Sequence, residues 1–131
     1  QGFQDDVAHY TAQMTDDRYS SIEMDESLPA GLHRVDGEVI GYDRLSEGTQ
    51  DVLSIALKLA MADKYLEDRE GFIIMDDPFV DLDPQRQERA AAVIRDFAEG
   101  KQVILFTCHP AHAKLLGGRT IKLNSTVKKG K

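Results

Sequence analysis

Phe72-Ile73-Ile74-Met75-Asp76-Asp77-Pro78 decides the fold. Four apolar residues followed by two carboxylates and a proline read as a parallel strand, buried on both faces and stopped at a polar edge. A second run of the same kind, Val103-Ile104-Leu105-Phe106, ends at Thr107-Cys108-His109-Pro110. Between them Pro84 opens a helix with Ala90, Val93, Ile94 and Phe97 on its inner face, proline being favoured in a first turn. A short helix after Pro110 and a last strand over Arg119 to Leu123 complete the series. Strand, helix, strand, helix, strand predicts an α/β fold with a mostly parallel sheet, whose ligand site lies beyond the carboxyl ends of the strands. Both buried runs end in polar chemistry.

Upstream, Val52, Leu53, Ile55, Ala56, Leu57, Leu59, Ala60, Met61 and Tyr65 cover most of a helix running from Gln50 to Leu66, which predicts a largely buried helix. Its N-terminus rests on Leu45-Ser46-Glu47-Gly48-Thr49. Tyr19 to Asp25, Leu32 to Val35 and Glu38 to Tyr42 form a small antiparallel β element, the last two flanking the hairpin dipeptide Asp36-Gly37. Phe3, Val7, Tyr10 and Met14 make one helical stripe with a heptad-like period, which fits a coiled-coil root or an amphipathic helix lying on the domain. The expected organisation is therefore residues 1–18 as that root or helix, 19–124 as the main lobe and 125–131 as a frayed basic tail.

The 131 residues suffice for one core and not two. A net charge of −7 argues against a general nucleic-acid coat protein, although all 23 acidic residues precede position 100 and the remainder carries seven basic ones. The single cysteine, Cys108, excludes a disulfide framework and a cysteine-rich zinc site. No apolar run is long enough to span a bilayer, so a cytoplasmic location without membrane contact is expected. The chain opens on Gln1 rather than methionine and reads as an excised piece.

Adjacent carboxylates at a buried strand end are costly unless a cation neutralises them or one takes a proton. A hard divalent ion with oxygen ligands meets that need: Asp76 would hold Mg²⁺ and Asp77, one residue further out, would orient a water. The same dipeptide also fits a strand end closed by a turn, each Asp capping local amides. Ser46-Glu47-Gly48-Thr49 at a helix start offers a hydroxyl, a glycine and free amides to an anion, and equally reads as an ordinary N-cap. His109 would contact a phosphate or water, or cap the strand end. Cys108 reads as a small apolar strand residue, because adjacent strand residues point to opposite faces and a Cys-His pair would not converge.

Read together, these pieces resemble the heads of ABC-type ATPases. Leu45-Ser46-Glu47-Gly48-Thr49-Gln50 and its helix are similar to the signature motif, Phe72 to Pro78 to the Walker B strand, Leu82-Asp83 to the D-loop and Thr107-Cys108-His109 to the switch-histidine loop. Within that superfamily the chain resembles the C-terminal lobe of an SMC, SbcC or RecF-like head, and most closely the YhaN-type relatives. The resemblance covers about residues 3 to 123. It implies that Asp76 binds Mg²⁺, that Asp77 polarises the attacking water, and that His109 senses the γ-phosphate. Ser46 and Gly48 would bind the γ-phosphate of a partner subunit's ATP, with Asp83 at the dimer interface. Asp77 stands where a glutamate is usual and Glu47 where a glycine is common.

No Gly-x-x-x-x-Gly-Lys-Ser/Thr occurs, and Gly117-Gly118-Arg119-Thr120 lacks its spacing. The resemblance therefore implies half of an ATP-hydrolysing head of a DNA-repair or chromosome-maintenance ATPase, inactive alone and completed by its own N-terminal P-loop lobe. Implied partners are a second head across two ATP molecules, DNA, and an SbcD-like metallophosphoesterase nuclease, in a nucleoid-associated setting. Two alternatives are an ATP-gated dimerisation or docking module with little catalysis, and a receiver-like phosphoacceptor domain built on Asp76 and Thr107.

Overall fold

The computed structural model describes residues 2–25, 28–66 and 70–123. Helix α1 (Phe3–Met14) leads into strands β1 (Tyr19–Asp25), β2 (Leu28–Arg34) and β3 (Val39–Gly41), which form an antiparallel sheet in that order. The β2–β3 hairpin closes with Arg34 N–H donating to Glu38 O at 2.8 Å and Gly37 N–H donating to Arg34 O at 2.9 Å. Gly37 takes φ 98°, so the Asp36-Gly37 signal marks a three-residue loop whose last position needs glycine.

Helix α2 (Glu47–Tyr65) runs through the core, burying Val52, Leu53, Ala56, Leu59 and Ala60 at helical spacing. Helix α1 packs across it: Val7, Thr11 and Met14 are buried, and Tyr10 Oη donates to Asp63 Oδ2 at 2.5 Å. Strand β4 (Phe72–Asp76), helix α3 (Pro84–Ala98) and strand β5 (Gln102–Phe106) make a parallel β-α-β unit with Phe72 opposite Gln102 and Asp76 opposite Phe106. Helix α3 buries Ala90, Val93, Ile94 and Phe97, the four residues its pattern predicted. Helix α4 (Pro110–Leu116) ends on Gly117 in the left-handed conformation, φ 69°.

Two expectations fail. Strand β4 is not buried on both faces: Met75 is 1% exposed, but Phe72 and Ile74 are 51% and 47% exposed. The apolar run sets the strand, whereas burial depends on what covers it, and among the described residues the α-helices cover only the Ile73–Met75 side. Alternation puts Phe72, Ile74, Ile104 and Phe106 on the other face, an apolar surface with Phe72, Ile74 and Phe106 exposed and Ile104 half-buried. Nor do Arg119 to Leu123 form a strand; the parallel sheet has two members among the described residues, and Ile121 and Leu123 are 68% and 80% exposed. The basic tail of residues 125–131 lies outside the described residues.

Candidate functional site

The carboxyl ends of β4 and β5 lie side by side because the two strands are parallel and in register. Asp76 closes β4, and no hydrogen bond or ion pair among the described residues engages its exposed carboxylate. Asp77 turns out of the strand at φ 45°, a left-handed conformation that Asp tolerates better than most residues, while its N–H donates to Phe106 O at 2.7 Å. That turn aims the Asp77 carboxylate back at the β5 end. Thr107 Oγ1 donates to Asp77 Oδ1 at 2.5 Å, Cys108 Sγ donates to Oδ2 at 3.5 Å, and His109 N–H donates to Thr107 Oγ1 at 3.0 Å. The Thr107 hydroxyl, then the Cys108 thiol and the nearby His109, hold the Asp77 carboxyl below its ordinary range. The hydrogen bond to Asp77, and then the Asp77 charge, push the Cys108 thiol up.

Beneath this edge His112 is buried at the start of α4, its ring 4.6 Å from that of His109 and 5.6 Å from that of fully buried Phe79. Burial and the neighbouring His109 push its titration down, and its Nδ1 has no partner. A neutral imidazole thus supports His109 from below. Beside the strand ends runs an open groove of about 230 Å³ lined by Asp76, Asp77, Asp51, Ser54, Lys58 and Asp81. Asp51, from the second turn of α2, is pushed up to about 6 by burial and then by the hydrogen bond and charge of Asp81. Its four aspartates and Ser54 offer the oxygen donors a hard cation requires, with Lys58 and apolar Ile55, Met75, Pro78 and Val80 completing the wall.

Ser46, Gly48 and Asp83 gather elsewhere, where the first turns of α2 and α3 meet. Ser46 caps α2, accepting from Thr49 N–H at 3.1 Å and donating its hydroxyl to Thr49 Oγ1 at 3.0 Å. Asp83 caps α3, accepting from Arg86 N–H at 2.8 Å. Arg86 then reaches across, Nη1 donating to buried Thr49 Oγ1 at 2.9 Å. Gly48 permits this closeness: a Cβ there would lie 2.9 Å from Asp81 O. Its first purpose is packing of helix start against loop.

No family model matches the chain. Sequence comparison finds YhaN of Bacillus subtilis, an uncharacterized protein, 36% identical over 100 residues, which is 73% of this chain and 10% of that protein. The DNA double-strand break repair Rad50 ATPase of Methanocaldococcus jannaschii is 33% identical over 91 residues, 70% of this chain and 9% of that one. The chain thus spans about a tenth of the length of the curated relatives it matches. Among solved structures, a chain from work on ATP-driven dimerization and DNA-stimulated activation of SMC ATPases superposes with a TM-score of 0.73 at 14% identity, over 97% of this chain and 80% of that one. The SMC head domain of Thermotoga maritima gives 0.62 at 16% identity, over 87% and 38%. The fold is that of an SMC head, and the homologues are YhaN and the Rad50 ATPases.

In this SMC-type head lobe, Asp77 and His109 come together at the sheet edge with Asp76 beside them at the end of β4, while Ser46, Gly48 and Asp83 form a separate cluster. Sequence reasoning missed Thr107 as the partner of Asp77, and Arg86 and Thr49 as the link between α2 and α3. Arg86 stands three residues past a helix-capping Asp, a position that signals only a helix first turn. The reading of Cys108 as an apolar strand residue is corrected: β5 stops at Phe106, Cys108 is exposed, and the turn after the strand brings it and His109 together. Strand alternation does not apply beyond the last strand residue.

Proposed function

We propose that the chain is the C-terminal half of an ATP-binding and hydrolysing head, acting by ATP-driven head dimerisation and completed by an N-terminal P-loop lobe of its parent protein. The observation that carries this reading is the meeting of Asp77 with His109 at the carboxyl edge of β4 and β5, next to the exposed Asp76, with the Asp77 carboxyl held below its ordinary range. The open apolar face of Phe72, Ile74, Ile104 and Phe106 supports it, being a surface that a second lobe would cover. On this reading residues 1–18 are the root of a coiled coil, and 19–124 form the lobe.

The oxygen-lined groove fits Mg²⁺, which Asp76 would hold; when bound, that ion neutralises phosphate charge. Asp77 accepts a hydrogen bond from the attacking water and orients it, each carboxylate oxygen having acceptor capacity beyond the bond it takes from Thr107 or Cys108. His109 faces the γ-phosphate from the β5 side. From the second head, the Ser46 hydroxyl and the first amides of α2 approach the same phosphate, Ser46 turning its proton from Thr49 Oγ1 to a phosphate oxygen. Asp83 fixes the D-loop at that dimer interface. The sequence resemblance adds DNA, an SbcD-like nuclease and a cytoplasmic, nucleoid-associated setting to this reading, and the name of the Rad50 relative, a DNA double-strand break repair ATPase, supports the first of these; among the described residues no helix is long and apolar enough to cross a membrane.

The test joins this chain to the P-loop lobe of its parent and measures ATP turnover and dimerisation. Turnover by the joined head, none by the 131 residues alone, and loss with Asp77→Asn are expected; turnover by the isolated chain defeats the reading. One observation favours a mainly non-catalytic, ATP-gated dimerisation module: Asp77 is a methylene shorter than glutamate and already tied to Thr107 and Cys108. ATP-driven dimerisation with hydrolysis unchanged in Asp77→Asn selects that alternative. The receiver-like alternative has no support in an SMC-head fold.

A further inference from the structure

One ring nitrogen of His109, the sulfur of Cys108 and one carboxylate oxygen of Asp77 supply three ligand atoms within 4.8 Å of one another. The Asp77 Oδ2 to Cys108 Sγ separation is already 3.5 Å. Tetrahedral bonds of about 2.0 to 2.3 Å place ligand atoms roughly 3.3 to 3.8 Å apart, so side-chain rotation suffices to close the set. Two of the three side chains are exposed and the third half-buried, which leaves an entry path and room for a water in the fourth position. Asp77 is held in place independently by its φ 45° turn and by Thr107, and α4, packed under His109, fixes the histidine. The donor set is unlike that of the adjoining groove, with which it shares Asp77: thiolate and imidazole select zinc-class ions, whereas Asp76 and its oxygen neighbours suit Mg²⁺.

We propose that Asp77, Cys108 and His109 form a binding site for a borderline or soft divalent transition metal of the Zn²⁺ class at the carboxyl edge of the β4–β5 sheet. On binding, the Cys108 thiol proton leaves to solvent as the sulfur–metal bond forms, and the hydrogen bond to Asp77 is replaced by shared coordination. The site stands on geometry alone. Its consequence, that a metal seated there withdraws Asp77 from water, rests on the role given to Asp77 above.

Cobalt(II) is the probe. Cys108 is the only cysteine in the chain, so a thiolate-to-cobalt charge-transfer band can arise from no other residue. Titration of the 131-residue chain with Co²⁺ in excess Mg²⁺ is expected to give a saturable one-to-one band that Zn²⁺ displaces. Cys108→Ser abolishes the band, and Asp77→Asn and His109→Gln, which preserve size, each weaken binding at least roughly tenfold. His33→Ala, removing the His33–Glu23 pair of the antiparallel sheet, leaves it unchanged. Absence of a band, loss of it to Mg²⁺, or wild-type affinity in both Asp77→Asn and His109→Gln overturns the proposal. ATP turnover enters none of these readings, so this site and the proposed ATPase function fail or stand separately.

Discussion

The sheet edge and the meeting point of α2 and α3 are both polar, both built at the ends of regular elements, and differ in how completely their groups are satisfied. At the α2–α3 junction each side chain has an internal partner: Ser46 with Thr49, Thr49 with Arg86, Asp83 with the Arg86 amide. At the sheet edge Asp76 is unengaged, Asp77 has spare acceptor positions, and Cys108 and His109 face solvent. A closed network holds two helices and a loop in fixed relation. An open one retains the capacity to bind.

That contrast can be broken at four points. The largest effect is expected at the open edge: Asp77→Asn in the completed head lowers ATP turnover by about a hundredfold or more while dimerisation persists, measured by phosphate release and sedimentation. If stability falls and turnover does not, the edge is scaffolding after all. Next comes Gly48→Ala, which drives a methyl to 2.9 Å from Asp81 O and forces the α2 start away from the loop. A loss of about 2 kcal/mol in urea unfolding of this chain is expected, and an unchanged midpoint would show the junction to be loose.

Arg86→Ala removes the bridge to Thr49 and is expected to cost about 1 kcal/mol in the same assay, with faster exchange of the first amides of α2. Unaltered exchange means that the two caps hold their helices independently. The smallest effect belongs to the groove. Because Asp51 titrates near 6 instead of near 4, the folded chain binds more protons than the unfolded one between those values, and stability falls as pH rises through that window. Asp51→Asn lacks that slope, so its urea midpoint gains on the wild type from about pH 4 to about pH 6 and then runs parallel. Parallel curves throughout would show that Asp51 and Asp81 do not share a proton.

Legibility divides along the range of the interactions. The Pro84 helix start, the Ser46 and Asp83 caps, the Asp36-Gly37 turn and the two apolar strands are set within a few residues, and all are plain in the sequence. The polar ends of β4 and β5 could be read as one site because parallel strands in register bring their carboxyl ends together. The Thr107–Asp77 bond was not readable, since it needs the left-handed turn at Asp77. Nor was the Arg86–Thr49 bond, which joins the first turns of two helices.

By itself, then, the sequence determined the elements from α1 to α4, their order and the chemistry at the ends of β4 and β5, because backbone propensity, capping and hydrophobic period are local. The tertiary structure alone decided which apolar residues are covered, leaving Phe72 and Ile74 open, denying Ile121 and Leu123 a strand partner, and turning Cys108 toward Asp77. Burial and convergence are properties of what packs against a residue, and the residue's own neighbours in the chain do not specify them.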